Sequence, residues 1–209
     1  MKSNYDYLCE NFLKTTIPDK FKTPVVKEIE DNLMTLQKLG SNKEYFSKLI
    51  KENIEKEHIC CAISNNKDIQ VSSKKAWLFD RFDDGLVFLK SVERGKCFIE
   101  YIPAENAWNP IDAEGYMYID CLWVSGAFKG HGYANDLLET CIKDSKEKGE
   151  KGLCILSAAK KKPYLADSKF LKYKGFTVCD ETNNGIQLWY LPFFVDLEKP
   201  KFMECAKHP

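Results

Sequence analysis

The sequence has no excess of charge of either sign. Lys and Arg together number 31, and Asp and Glu together also number 31, so the formal net charge at pH 7 is zero. Proteins that bind nucleic acids or anionic membranes usually owe much of their affinity to a surplus of basic residues. The balance therefore argues against nucleic acid as a partner and favours a small or neutral ligand.

The sequence also lacks a hydrophobic run long enough to cross a bilayer, which takes about 20 apolar residues. Its most apolar stretches, 116–124 and 188–195, are short and are interrupted by Asp120 and Pro192. The first residues contain no apolar core of the kind found in a signal peptide. We therefore expect a cytoplasmic protein that does not associate with a membrane.

Pairs of cysteines at the C-x-x-C spacing of zinc ribbons and redox sites are absent. The nine cysteines lie at positions 9, 60, 61, 97, 121, 141, 154, 179 and 205. Their number is odd, and most lie inside apolar segments, where free Cys packs as a small hydrophobic residue. We expect nine reduced thiols and no metal site, as is usual for a cytosolic protein.

The length of 209 residues suits one domain with a small appendage. Apolar residues at helical spacing between Pro24 and Gly40 predict a helical N-terminal extension over residues 1–50. The main domain is expected over residues 51–195, and residues 196–209 are expected to form a C-terminal tail.

Short apolar runs bounded by turns predict the element order β-α-β-β-β-α-β-α-β-β from residue 59 onwards. Asp167 is a suitable N-cap for a short helix that ends at Gly175, and Asn184-Gly185 is a strong hairpin signal. The predicted strands are 59–63, 86–90, 97–102, 116–124, 153–158, 176–180 and 186–191, and the first predicted helix is 74–83. The pattern indicates an α+β protein.

A glycine-bearing loop follows the strand 116–124 and leads into an amphipathic helix. Glycines allow a ligand to approach the backbone closely, and the N–H groups at a helix start favour phosphate. The loop is not a Walker loop, because no Lys-Ser/Thr pair follows its last glycine, and it lacks the third glycine of a Rossmann fingerprint. A tight strand-to-helix turn without a ligand is the alternative interpretation.

The run from Val124 to Ala134, Val-Ser-Gly-Ala-Phe-Lys-Gly-His-Gly-Tyr-Ala, resembles the acetyl-CoA motif of the GNAT acyltransferase superfamily. That motif is Val, four residues, Arg or Gln, two residues, Gly, one residue, and Gly or Ala. Lys129 stands where the family usually has Arg or Gln, which keeps a positive charge. Segments 98–108, 120–134 and 169–176 are further similar to bacterial GNAT domains of the YoaP type.

The resemblance implies the GNAT fold, a central mixed and mostly antiparallel sheet of six to seven strands with flanking helices. It also implies acetyl-CoA as cosubstrate, without a metal, and a chain that acts as a monomer or homodimer. In such a fold the backbone of Leu122, Trp123 and Val124 would pair with the pantetheine arm. Backbone N–H groups would wrap the pyrophosphate from Lys129, Gly130, His131, Gly132, Tyr133 and Ala134. The N–H of Val124 would stabilise the oxyanion.

A base is needed because an amine is mostly protonated at pH 7. Strand periodicity places Asp120 on the same face as Val124, so Asp120 is the first candidate, and Glu100 and Glu114 are the alternatives. A carboxylate paired with a neighbouring lysine is the structural alternative. We expect Trp108 and Glu100 to contact the acceptor.

The proton donor to the departing thiolate cannot be the tyrosine that many family members use. That position, four residues before Gly175, is Leu171 here. Tyr173 should face the other way on the helix. Tyr164 is the substitute that we expect, and water is the alternative.

The function predicted is N-acetyl transfer from acetyl-CoA to a primary amine of a small molecule or peptide, by direct attack in a ternary complex. The first alternative is a catalytically inactive CoA-binding module with a regulatory or interaction role. The second alternative is a nucleotide-binding protein.

Overall fold

The computed structural model describes residues 54–91 and 96–207. The predicted helical extension over residues 1–50 lies outside these ranges and stays a prediction. Elements are numbered below in chain order within the described residues. The helices are α1 (Ile69–Arg81), α2 (Tyr133–Glu147), α3 (Ser168–Tyr173) and α4 (Glu204–Lys207). The strands are β1 (Val87–Lys90), β2 (Cys97–Pro103), β3 (Ile111–Asp112), β4 (Tyr116–Val124), β5 (Gly152–Ala158), β6 (Thr177–Glu181), β7 (Ile186–Pro192) and β8 (Lys201–Phe202).

Six of these strands form one sheet in the order β1-β2-β4-β5-β7-β6, and β3 pairs with β8 in a separate two-stranded ribbon. The large sheet is mixed, because β4 and β5 are parallel whereas β5–β7 and β6–β7 are antiparallel. The predicted mixed sheet with flanking helices is therefore confirmed.

Local sequence signals fix several of the boundaries. The Asp167 side chain accepts hydrogen bonds from the backbone N–H groups of Lys169 and Phe170, so it caps α3 as predicted. Gly175 follows that helix with a positive φ of 85°. The turn at Asn184-Gly185 joins β6 to β7, where Thr182 N–H donates to the Ile186 carbonyl at 2.8 Å. The helix predicted over 74–83 begins earlier, at Ile69, because Asp68 caps it.

The strand predicted over residues 59–63 is wrong, because these residues form bends and irregular backbone. The apolar character of the run reflects burial of Ile59, which is 1% exposed. The carbonyls of Cys61 and Ile63 accept hydrogen bonds from Lys96 Nζ, at 3.1 and 2.9 Å. A side chain therefore takes the acceptors that a neighbouring strand would use.

The described residues fall into two compact units. The first unit holds residues 54–84, 89–91, 96–98 and 123–131, and the second holds 85–88, 99–122 and 132–207. In the second unit, α2 packs against β5, and its residues Leu137, Leu138 and Cys141 are fully buried. Strand β5 is buried along most of its length, as its nearly all-apolar sequence predicts.

Eight of the nine cysteines lie in the described ranges, and none of these eight is part of a disulfide bond there. Cys9 lies outside these ranges. Within the same ranges, no group of three or more His, Cys, Asp or Glu side chains is arranged to hold a metal ion. None of the helices described there has the length and apolar character needed to cross a membrane.

Candidate functional site

The strands β4 and β5 separate part of the way along their length. They are paired from Tyr116 with Gly152 to Ile119 with Ile155, and the pairing ends there. Strand β5 continues along β7 as far as Ala158. The backbone of residues 120–122 is therefore not paired with β5, and an extended ligand with amide groups can add to such an edge as an extra strand.

The segment that follows β5 returns to the edge that β4 has left. Ser157 forms a parallel bridge with Ala166, and its hydroxyl donates to the Ala166 carbonyl at 2.7 Å. Because Ser157 is paired with Gln187 of β7 on one side, Ala166 must lie on the other side. The opening between the two strands is therefore bordered by residues 120–122 and by the segment that leads to Ala166.

Tyr164 lies two residues before Ala166, in this bordering segment. Its side chain is 75% exposed, and its φ is +66°, a backbone conformation that aromatic residues rarely adopt. Backbone strain of this kind costs about 1–3 kcal/mol and is concentrated at functional sites. Leu171 is fully buried, and Tyr173 is 79% exposed on the surface of α3. The tyrosine position typical of the family is thus filled by a core side chain.

The glycine loop begins where β4 ends. The segment Gly126–Phe128 forms a single 3-10 turn, in which Phe128 N–H donates to the Ser125 carbonyl at 3.1 Å. Gly130 and Gly132 then adopt positive φ values of 79° and 81°. A Cβ atom at either glycine would meet no other atom within 4 Å, so the space beside this backbone is open.

Helix α2 starts directly after Gly132, which is its N-cap. Its first helical hydrogen bonds run from the N–H groups of Asn135 and Asp136 to the Gly132 carbonyl. The N–H groups of Tyr133 and Ala134 precede these bonds in the first turn of the helix. With a helix of 15 residues behind it, this end carries the partial positive charge that favours phosphate. The side chains of Lys129 and His131 are exposed.

Asp120 lies at the point where β4 leaves β5, and its side chain is exposed. Tyr118, two residues earlier, is 3% exposed. Burial raises the pKa of Tyr118 well above its usual value, and the negative charge of Asp120 raises it further. The carboxylate is therefore near this strand face and reaches solvent at the opening.

The other predicted acidic and aromatic candidates occupy different surroundings. Glu100 is fully buried within β2, whereas Glu114 is exposed in the turn before β4. Trp108 follows the 3-10 turn Ala104–Asn106 and is 75% exposed. The structure thus places Asp120 at the opening, Glu100 in the core and Trp108 on the surface.

Lys96, which the sequence analysis did not single out, makes hydrogen bonds at the C-terminal end of β4. Lys96 Nζ donates to the carbonyls of Cys61 and Ile63 and to Ser64 Oγ at 3.1 Å. Its own carbonyl accepts two hydrogen bonds from Ser125, one from the N–H and one from the hydroxyl, both at 3.0 Å. No sequence motif marks Lys96, because its partners lie about 30 residues away on both sides in the chain.

Comparison with known proteins agrees with the loop and the fold. Residues 51–171 match the model of the acetyltransferase (GNAT) family. The chain is 45% identical over 163 residues to a curated protein of Bacillus subtilis (strain 168), the uncharacterized N-acetyltransferase YoaP. That alignment covers 78% of this chain and 65% of the relative, so the chain spans less than two thirds of the relative's length.

Two solved structures show weaker likeness. The Salmonella typhimurium yncA, a putative acetyltransferase with its cofactor acetyl-CoA, is 14% identical with a TM-score of 0.47, over 74% of this chain and 90% of that one. The Thermoplasma acidophilum PaiA N-acetyltransferase in complex with coenzyme A is also 14% identical, with a TM-score of 0.45, over 92% and 96%. The family match covers more than half of the sequence and includes the glycine loop. The chain therefore belongs to the GNAT acetyltransferase family.

Proposed function

We propose that the chain transfers an acetyl group from acetyl-CoA to a primary amine of a small molecule or peptide, by direct attack in a ternary complex. The observation that carries this proposal is the parting of β4 and β5 after Ile119 and Ile155. The strand that parts runs directly into the glycine loop and the start of α2. Pantetheine amides would pair along residues 122–124, and the pyrophosphate would bind the N–H groups of residues 129–134.

The chemistry assigned to these residues is nucleophilic addition and elimination. The amine nitrogen bonds to the thioester carbonyl carbon, the carbon–sulfur bond breaks, and CoA leaves as a thiolate. Placing the amine about 3 Å from that carbon supplies much of the rate. The Val124 N–H stabilises the negative charge on the carbonyl oxygen. Asp120 takes the proton that the amine loses, and Tyr164 supplies the proton that the thiolate gains.

A test of this function measures free thiol release with a panel of amines and, separately, CoA binding by calorimetry. Asp120→Asn is expected to lower kcat by about 10²-fold with CoA affinity kept, because general base catalysis contributes that much. Asp112→Asn is the control, since Asp112 is exposed in β3 and pairs with Lys201 at 3.1 Å. Wild-type turnover of Asp120→Asn from pH 6 to 9 would transfer the base role to Glu100, Glu114 or water.

One observation favours a second candidate function, a CoA-binding module without activity. The tyrosine that many family members use as acid is replaced by Leu171, which is fully buried and has no proton to donate. Such a module would bind CoA with normal affinity but release no thiol with any amine. Release of thiol above the rate of spontaneous hydrolysis, dependent on amine concentration, excludes it.

A further inference from the structure

Ser157 is a buried hydroxyl residue in a strand that is otherwise apolar. It lies one residue before the end of β5 and is 0% exposed. A hydroxyl that is taken out of water costs free energy unless it keeps a hydrogen bond. Here that bond goes to the Ala166 carbonyl at 2.7 Å. The hydroxyl therefore ties the segment that follows β5 to the strand itself.

This hydrogen bond adds to a backbone contact between the same two residues. Ser157 pairs with Gln187 of β7 on one side and forms an isolated parallel bridge with Ala166 on the other. The pairing with β7 extends along the whole of β5, from Gly152 to Ala158, so each pair there is supported by its neighbours. The isolated bridge lacks such support, and we therefore expect it to depend on the Ser157 side chain.

Tyr164 lies between this attachment and a second one. Lys162 Nζ donates to the Asn184 carbonyl at 2.8 Å, so the chain is held two residues before Tyr164 as well as two residues after it. The lysine bond is exposed to water, which competes for its donor and its acceptor, whereas the Ser157 hydroxyl is fully buried. The attachment at Ala166 is therefore expected to contribute more.

The backbone of Tyr164 needs such attachments. Its φ of +66° is a value that aromatic residues rarely adopt, and strained conformations persist only where the surrounding structure holds them. The side chain is 75% exposed, so packing of the ring does little to fix it. The position of the Tyr164 hydroxyl therefore depends on how the neighbouring backbone is held.

We propose that Ser157 is a positioning residue, whose hydroxyl holds residues 164–166 against β5 and so keeps Tyr164 at the border of the strand opening. This inference rests on the proposed function, in which Tyr164 gives the departing thiolate its proton. Proton transfer needs a donor within hydrogen-bond reach of the acceptor, about 3 Å. A segment that moves away from β5 lowers the fraction of molecules with the donor in place, and so lowers kcat.

The test compares Ser157→Ala with Ser145→Ala in the full chain. Ser145 is a closely matched control, because it is also 0% exposed and its hydroxyl donates to a backbone carbonyl, that of Cys141, at 2.7 Å, but within α2. Each variant removes one buried hydrogen bond. We expect only Ser157→Ala to lower kcat for thiol release, by about 5- to 10-fold, with the KM for acetyl-CoA changed less than about 3-fold. Equal kcat values in the two variants would overturn the inference.

A double substitution tests whether Ser157 acts through Tyr164. In Tyr164→Phe the hydroxyl that Ser157 positions is already gone, so adding Ser157→Ala should change kcat less than about 2-fold. For the same reason, the loss in Ser157→Ala alone should not exceed the loss in Tyr164→Phe alone. A loss from Ser157→Ala that is equally large in both backgrounds would contradict the inference, because Ser157 would then support the site in another way.

Hydrogen exchange followed by mass spectrometry tests the attachment without catalysis. The backbone amides of residues 159–166 should exchange at least about 3-fold faster in Ser157→Ala than in the wild type, and Ser145→Ala should leave their rates unchanged. If the wild type released no thiol with any amine, the proposed function would fail and the role of Ser157 in proton transfer would fail with it. If the wild type were active and Ser157→Ala changed neither kcat nor exchange, this inference alone would be wrong.

Discussion

Individual glycines decide whether the loop after β4 can hold a pyrophosphate. Gly132 has a φ of +81°, and a Cβ atom there would project into open space rather than into the protein. That open space is where the resemblance to the family places the ligand. A side chain at this position would enter the space expected for the ligand without meeting protein atoms, and the positive φ would add backbone strain.

We predict that Gly132→Glu lowers CoA affinity by more than 10-fold, because a side chain and a negative charge would occupy the pyrophosphate position. Gly149→Glu is a closely matched control, since Gly149 also has a φ of +81° and open space around its Cβ position, but lies beyond the other end of α2. Calorimetry with CoA measures the effect. If both variants lost CoA affinity equally, backbone strain would explain the loss, and the assignment of the loop as the CoA site would be contradicted.

The proposed role of Tyr164 as proton donor can be tested by substitution at that residue alone. Tyr164→Phe should lower kcat with CoA binding kept, whereas Tyr173→Phe, at a similarly exposed position, should not. Tyr164→Gly should relieve the positive φ and raise the free energy of unfolding by about 1 kcal/mol while activity falls. Full activity in Tyr164→Phe would show that the thiolate leaves with a proton from water.

Helix α2 contains a buried ion pair as well as the candidate binding end. Asp144 accepts hydrogen bonds from Lys148 Nζ at 2.6 Å and from the Tyr101 hydroxyl at 2.9 Å. The two charged side chains are each 6% exposed. In the same helix, Lys143 and Glu147 are 3.9 Å apart and half exposed to solvent.

We predict that Asp144→Ala lowers the free energy of unfolding by about 3–5 kcal/mol, because it removes the buried carboxylate that pairs with the buried charge of Lys148. Glu147→Ala should change it by less than about 1 kcal/mol, since an exposed pair gains little in water. Urea unfolding of both variants measures the difference. Similar small losses in both would mean that Lys148 finds another partner or reaches solvent.

Asp180 of strand β6 contacts the C-terminal segment at Phe202 and Lys207. This carboxylate accepts from the Phe202 N–H at 2.8 Å and lies 3.7 Å from Lys207 Nζ. Burial alone would raise the pKa of Asp180, but hydrogen bonds from the N–H groups of Phe202 and Glu181 and the charge of Lys207 lower it below its usual value. The stabilisation is therefore present above the ordinary carboxyl pKa of about 4 and is lost as the pH falls through the lower folded value.

We predict that Asp180→Asn loses less stability than the wild type between pH 5 and pH 2, because an amide does not titrate. The free energy of unfolding in urea, measured at both pH values, gives the difference. Asp196→Asn is the control at an exposed aspartate whose positive φ asparagine tolerates. If Asp180→Asn lost as much unfolding free energy between pH 5 and pH 2 as the wild type, the stabilising role of the Asp180 carboxylate would be contradicted.

The reactivity of each cysteine depends on how deeply the fold buries its thiol. Cys205 is exposed, whereas Cys97, Cys141 and Cys154 are buried. Burial raises the pKa values of the Cys141 and Cys154 thiols far above the usual range and that of Cys179 to about 12. Since the thiolate is the reactive form, burial and a raised pKa both slow modification.

We predict that iodoacetamide modifies Cys205 of the folded protein first and reaches Cys141 and Cys154 only on unfolding. After denaturation without reductant, mass spectrometry should find all nine cysteines modified, Cys9 included. A reproducible disulfide between any two of them would contradict the expectation of a reducing compartment.

Much of the fold could be predicted because its signals are local. The bounds of β4 agree with the apolar run 116–124, and the cap at Asp167 and the turn at Gly185 depend on neighbours within four residues. The glycine loop is also local, since the positive φ values of Gly130 and Gly132 favour glycine at those positions. The candidate CoA site could therefore be read from consecutive residues.

The contacts of Lys96 and the strand opening depended on tertiary structure. Residues 59–63 have the composition of a strand, yet the ammonium of Lys96, more than 30 residues away, takes two of their carbonyls. The parting of β4 from β5 after Ile119 is marked by no turn residue in either strand, because apart from Asp120 and Ser157 both sequences stay apolar beyond that point. Caps, turns and strand bounds could be predicted from the sequence, because there the backbone conformation depends on adjacent residues. Only the folded chain decided which distant groups meet, because hydrogen bonds between distant groups do not depend on sequence spacing.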